Sequence, residues 1–152
     1  MSGHHTEWRA RPRAKSSGPI LIVDDDMDDA NLVRRAIQKL RPELPPIVQI
    51  CSSGKEFIAY LEGTGEYSNW EAHPLPSIVL LDLKMPEMDG FAVLEWIKGQ
   101  PKFDHIPVVV ISGFEDVSHL KRAYSLNAKS YLAKPVNMES FRGILSSLNV
   151  AI

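Results

Sequence analysis

Residues 78–90 read IVLLDLKMPEMDG. An unbroken apolar run, Ile78–Leu81, ends on Asp82; a turn bearing Pro86 and Gly90 follows, and Phe91, Leu94 and Ile97 then recur at helical spacing. A short run that is apolar at every position suits a strand covered on both faces, and parallel strands of that kind are joined by crossing helices. The same unit recurs along the chain. Ile20–Val23 leads through Asp24, Asp25 and Asp26 to Val33, Ala36, Ile37 and Leu40 on one helical face, closed by Pro42, Pro45 and Pro46. Ile47–Cys51 precedes Gly54 and a helix with Phe57, Ile58 and Leu61 inward. Val108–Ile111 precedes Val117, Leu120 and Tyr124, and Tyr131–Ala133 precedes Met138, Phe141, Leu145 and Leu148. A long connection, Glu62–Pro76, separates the second helix from the third strand.

Five strands alternating with five helices predict an α/β fold, a doubly wound five-stranded parallel sheet with helices on both faces. Crossovers are expected to be right-handed, and ligands to gather outside the carboxyl ends of the strands. The chain of 152 residues, 44% apolar and 24% charged with a net charge of −2, suits one soluble domain with its own core. No apolar run approaches the ~18 residues of a membrane span, so a cytoplasmic protein without membrane contact is expected. Cys51 is the only cysteine, excluding an internal disulfide, and its apolar neighbours predict a buried thiol. Residues 1–18 carry Arg9, Arg11, Arg13 and Lys15 against Glu7 alone. With no basic helix or aromatic interleaving after them, they read as a disordered basic tail rather than a nucleic-acid contact.

The strand ends carry the unusual chemistry. Asp24 and Asp25 follow the first strand, and Asp82 follows the third. These strands lie near the centre of a doubly wound sheet and end on one edge, so their carboxylates converge. Clustered anions repel unless a cation sits among them, and an all-oxygen set with few protein groups favours Mg²⁺. Asp26, Asp28 and Asp29 read instead as acids at a helix start, where the macrodipole favours them. Ser112 ends the fourth strand and Lys134 the fifth; a hydroxyl and an ammonium aimed at one crevice suit a phosphoryl dianion.

The strings ILIVDDD, LLDLKMPEMDG, VVVISG and YLAKP, in that order, resemble the receiver domain of CheY-like bacterial response regulators over residues 19–150. The resemblance implies a flavodoxin-like (βα)5 sheet of order 2-1-3-4-5. It implies Asp82 as phosphoacceptor, with Asp24, Asp25, Asp82 and the backbone carbonyl of Lys84 holding the Mg²⁺. Ser112 takes the place of the switch hydroxyl, Tyr131 of the switch aromatic and Lys134 of the phosphate-contacting lysine, with a cis Lys134–Pro135 bond. Lys84 and Phe114, two residues past the acceptor and the switch hydroxyl, would tune the phosphoryl lifetime. The long connection with GEYSN inside it resembles stand-alone receivers that accompany phytochrome-type kinases.

The partners implied are a sensor histidine kinase or histidine phosphotransfer protein, and a downstream protein reached by phosphorylation-dependent contact; homodimerisation is left open. Autophosphorylation and slow self-dephosphorylation are expected, not turnover as an enzyme. A haloacid dehalogenase-type phosphatase also carries D-x-D after its first strand, but Asp28 stands where Thr or Val belongs. A calcium loop counted from Asp24 would place Asp29 where Gly is needed and Arg35 where Glu is needed. A pseudo-receiver that is never phosphorylated is the remaining alternative, and the complete set of site groups argues against it.

Overall fold

Each apolar run becomes a strand and each helical stripe a helix in the computed structural model, which describes residues 11–12, 18–85, 88–113 and 117–151. In chain order these are β1 (Ile20–Val23), α1 (Met27–Gln38), β2 (Val48–Cys51), α2 (Gly54–Glu62), β3 (Ile78–Asp82), α3 (Gly90–Lys98), β4 (Val108–Ser112), α4 (Val117–Ser125), β5 (Ser130–Ala133) and α5 (Met138–Ser147). The strands pair in the order β2-β1-β3-β4-β5, every pair parallel. Fold class and strand order are those expected.

Side chains alternate across the pleat, so each strand feeds two cores. Leu21, Val23, Val79, Leu81 and Val110 face one side, packed with Phe57 and Leu61 of α2, Phe91 and Leu94 of α3 and Ala123 of α4. Ile20, Ile22, Ile78, Leu80 and Val109 face the other, with Ala30 and Ile37 of α1 and Phe141 and Leu145 of α5. Helices as short as α2, α3 and α4, nine residues each, are marginal alone. Burial of their apolar side chains, at about 1.5–3 kcal/mol each, is what holds them. Cys51 is buried, as expected, and its burial raises the thiol pKa.

One inward position differs from expectation. Tyr124 is half exposed; among the described side chains of α4 the buried one is Ala123, with Leu126 packed on the same core. One residue is a 100° turn of a helix, enough to move the ring off the buried face. The side chain of Val117 lies outside the described residues.

Order in the long connection comes from a residue far upstream. The last turn of α2 holds no basic residue, and the helix ends at Gly63 in the left-handed region, φ 68°. Arg11 supplies the missing positive charge: its guanidinium donates to the carbonyls of Tyr60 (3.1 Å) and Leu61, and to that of His73 (2.9 Å) in the connection. Such a contact adds a charged donor at the last carbonyls, where Tyr60 also accepts the Gly63 N–H, and offsets the negative end of the helix. Trp70 donates its indole N–H to the Gly63 carbonyl at 3.2 Å and lies under the Arg11 guanidinium, 5.8 Å from it. A Cβ on Gly63 would meet Trp70 Nε1 at 2.3 Å and Arg11 Nη1 at 2.9 Å, so the cradle requires glycine there. No described helix is long and apolar enough to cross a membrane.

Candidate metal and phosphoryl site

Register builds the site. Val23 pairs with Leu81, so Asp24 and Asp82 leave two adjacent central strands at one level. Asp82 pairs with Ile111 and Ser112 with Ala133, which carries Ser112 and Lys134 onto the same edge. The turn after Asp82 is held by the Gly90 N–H, which donates to the Leu83 carbonyl at 3.0 Å. A Cβ on Gly90 would lie 2.5 Å from Leu83 Cα, so only glycine permits that approach.

Asp24 and Asp82 are almost fully buried, at 4% and 6% exposure, while Asp25 is exposed. Asp24 Oδ1 accepts the Asp26 N–H at 2.9 Å, and Asp82 Oδ1 accepts the Lys84 N–H at 3.0 Å. Their other oxygens share Lys134, whose Nζ lies 3.4 Å from Asp24 Oδ2 and 3.3 Å from Asp82 Oδ2. Burial pushes the Asp24 carboxyl up to about 6; the Asp26 N–H opposes this and the neighbouring Asp82 adds to it. Burial alone would lower the Lys134 ammonium, but Asp82, Asp24 and Asp29 outweigh it and raise its pKa.

Asp24, Asp25 and Asp82 each present a carboxylate oxygen, all within 4.8 Å of one another. This cluster can coordinate a divalent cation. An all-carboxylate set open on one side suits a hard ion that retains water, and a Lys134 pair alone leaves the three acids with excess negative charge.

Asp26 and Asp28 behave as helix-start acids. Asp26 caps α1, accepting from the Asp28 and Asp29 N–H groups at 3.0 and 3.1 Å. Asp29 does not stop there: its Oδ2 lies 3.1 Å from Lys134 Nζ, joining the site that its sequence position did not suggest. Helix geometry permits the contact without specifying its partner, since side chains in a first turn lean toward the amino end, here the carboxyl edge of the sheet. Ser112 is fully buried at the end of β4, and its carbonyl accepts the Lys134 N–H at 3.0 Å. Tyr131 packs against the core on the α3 and α4 side, with its hydroxyl buried and without a hydrogen-bond partner among the described residues. The Lys134–Pro135 bond is cis, as expected. Lys84 is exposed; Phe114 and Pro86 lie outside the described residues.

A family model for the response regulator receiver domain matches residues 20–146, which takes in the whole sheet and all of its strand-end acids. The chain belongs to the response regulator receiver family. Receivers accept phosphoryl groups rather than turning over substrate, and the Asp24–Asp25–Asp82 cluster is consistent with the phosphoacceptor and metal site of a CheY-like receiver. Among relatives, the response regulator Rcp1 of Synechocystis sp. is 34% identical over 120 residues, covering 79% of this receiver and 78% of Rcp1. Among solved structures, the bacteriophytochrome response regulator AtBRR is 36% identical with a TM-score of 0.75, covering 89% of this chain and 94% of that one. The phosphorylated cyanobacterial phytochrome response regulator RcpA is 32% identical with a TM-score of 0.71, covering 87% and 91%. This receiver is thus related to phytochrome-associated response regulators.

Proposed function

We propose that Asp82 accepts a phosphoryl group from a histidine kinase or histidine phosphotransfer protein, with Mg²⁺ held by Asp24, Asp25, Asp82 and the Lys84 backbone carbonyl. The observation that carries this reading is the buried Asp82 carboxylate, fixed on one oxygen by the Lys84 N–H and facing Lys134 and the acidic pair with the other. An Asp82 oxygen attacks phosphorus in line as the phosphorus–nitrogen bond to the donor histidine breaks, leaving a mixed anhydride on Asp82 and the electron pair on the imidazole. A bound divalent ion supplies positive charge to the transferring oxygens. Lys134 contributes the same from the end of β5, so the chain acts through positioning and electrostatics.

The relatives associated with phytochromes support a phytochrome-type kinase as the donor. A groove of about 340 Å³ opens beside Lys134, lined by Leu32, Val33, Ala36, Val136 and Met138, and it offers the donor protein an apolar seat next to the acceptor. Once formed, the acyl phosphate draws the Ser112 hydroxyl toward itself, and Tyr131 settles into the space released. Before transfer the Tyr131 hydroxyl is buried with no partner among the described residues, a cost of about 1–3 kcal/mol that favours its leaving this position. The signal then passes to a downstream protein at the face of α4, β5 and α5. Two residues past the acceptor and the switch hydroxyl, Lys84 and Phe114 slow hydrolysis: Lys84 pairs with the phosphoryl oxygens, and Phe114 offers an attacking water no hydrogen bond to orient it. The domain runs over residues 19–150, preceded by the basic arm.

The test is incubation with acetyl phosphate and Mg²⁺, read by intact mass. Wild type gains one phosphoryl group and Asp82→Asn gains none; full labelling of the variant at the wild-type rate sinks the assignment.

A further inference from the structure

Lys134 carries three N–H donors and meets three carboxylates, Asp24 at 3.4 Å, Asp82 at 3.3 Å and Asp29 at 3.1 Å. The three partners are not equivalent. Asp24 and Asp82 belong to the oxygen cluster that suits a divalent ion, and Asp82 is the proposed acceptor; Asp29 belongs to neither. We propose that Asp29 is a positioning residue that holds the Lys134 ammonium over the crevice while Asp24 and Asp82 are engaged by the ion and the phosphoryl group. The proposal rests on the acceptor reading above and adds a residue to it.

Asp29 is placed for this by the backbone. Its N–H is tied to the Asp26 cap at 3.1 Å, and its helix is anchored by Ala30, the next residue, and Ile37, both fully buried. The carboxylate therefore stands on a rigid element, whereas the Lys134 side chain has four rotatable bonds to order. Its contact with Lys134 is the shortest of the three. Asp28, one position earlier, is exposed and takes no part in the three Lys134 ion pairs. It carries the same charge nearly as close in sequence, which makes it the control for a general field effect.

The experiment measures the initial rate of phosphoryl uptake from acetyl phosphate at saturating Mg²⁺, so that changes in ion affinity cancel. Asp29→Asn should slow uptake about two- to five-fold, the range expected for one partly exposed ion pair. Asp28→Asn should match wild type, and Asp29→Glu, which keeps the charge, should recover at least half of the loss. In a Lys134→Ala background Asp29→Asn should add nothing. The proposal is overturned by an Asp29→Asn rate equal to wild type, by an equal loss in Asp28→Asn, by failure of the glutamate to rescue, or by an undiminished effect without Lys134. A wild type that takes up no phosphoryl group sinks the acceptor reading itself, and is told apart from these outcomes because it precedes any variant.

Discussion

Lys134 Nζ lies 3.3 Å from Asp82 Oδ2 across 52 positions of sequence, and this contact closes the crevice that β1 and β3 open. One ammonium here balances two nearly buried carboxylates, Asp24 and Asp82, and removing it leaves them facing each other uncompensated. Lys134→Ala should therefore lower the melting temperature at pH 7 in the absence of divalent ions, with Mg²⁺ restoring part of the loss. It should also slow uptake from acetyl phosphate ~10²-fold, as loss of one charged group aimed at the transferring oxygens does. Calorimetry and timed mass spectrometry read the two effects; a variant with unchanged stability and rate would remove Lys134 from the site.

Asp24 sets a pH dependence. Its carboxyl stands at about 6 in the fold against an ordinary value of 3.8, chiefly through burial. A raised folded value means that the native state holds the proton more tightly than the unfolded chain does. The resulting stability is full below the unfolded value and lost as pH rises through about 6. Ion-free protein should accordingly gain stability from Asp24→Asn at pH 7.5 and gain little at pH 4. Mg²⁺ affinity should strengthen between pH 5 and 7.5, because Asp24 must ionise to bind. Calorimetric titration at the two pH values measures this; stronger binding at pH 5 would contradict it.

Ser112 and Tyr131 form the switch pair of this reading, one fully buried at the end of β4 and the other packed on the core with a hydroxyl unpartnered among the described residues. Ser112→Ala should still be phosphorylated, more slowly, yet lose the response of α4, β5 and α5. Amide spectra of that face, with and without beryllofluoride as phosphoryl mimic, should differ in wild type and coincide in the variant. Identical wild-type spectra in the two states would refute the coupling.

Arg11 and Gly63 carry a prediction at the opposite edge of the sheet. Arg11→Ala removes a charged donor from three carbonyls and a positive charge from the end of α2. Partly exposed contacts of this kind suggest a loss of about 1–2 kcal/mol, or roughly 2–8 °C in melting temperature for a domain of this size. Gly63→Ala should cost more, since the added carbon meets the Trp70 ring and the backbone is left-handed. Phosphoryl uptake should be unchanged in Arg11→Ala. Hydrogen exchange at Gly63, Thr64 and His73 reports the local loss, and unaltered protection there would show that Arg11 does not order the connection.

Much of the fold was legible because it is written in local patterns. The runs at Ile20–Val23, Ile78–Leu81 and Val108–Ile111 are apolar at every position, as a strand covered on both faces needs, and Asp24, Asp82 and Ser112 stand directly at their ends. Tyr124 shows the limit of such patterns: with Ala123 beside it, apolar character alone did not decide which of two adjacent residues faced inward. Phe114 was singled out for the lifetime of the acyl phosphate and lies outside the described residues.

The sequence by itself determined the alternation of strand and helix, the strand-end placement of Asp24, Asp25, Asp82, Ser112 and Lys134, and hence a site for an anion and a cation together. Periodicity and the chemistry of each residue type are local properties, readable without a partner. The tertiary structure alone decided that Asp29 turns to Lys134, 105 positions away, and that Arg11 reaches the end of α2 to dock against Tyr60, Leu61 and His73. Both contacts join residues remote in sequence through single polar side chains. Nothing in the periodicity of either segment encodes such a partner, because only closure of the sheet and packing of its helices bring the charges within reach.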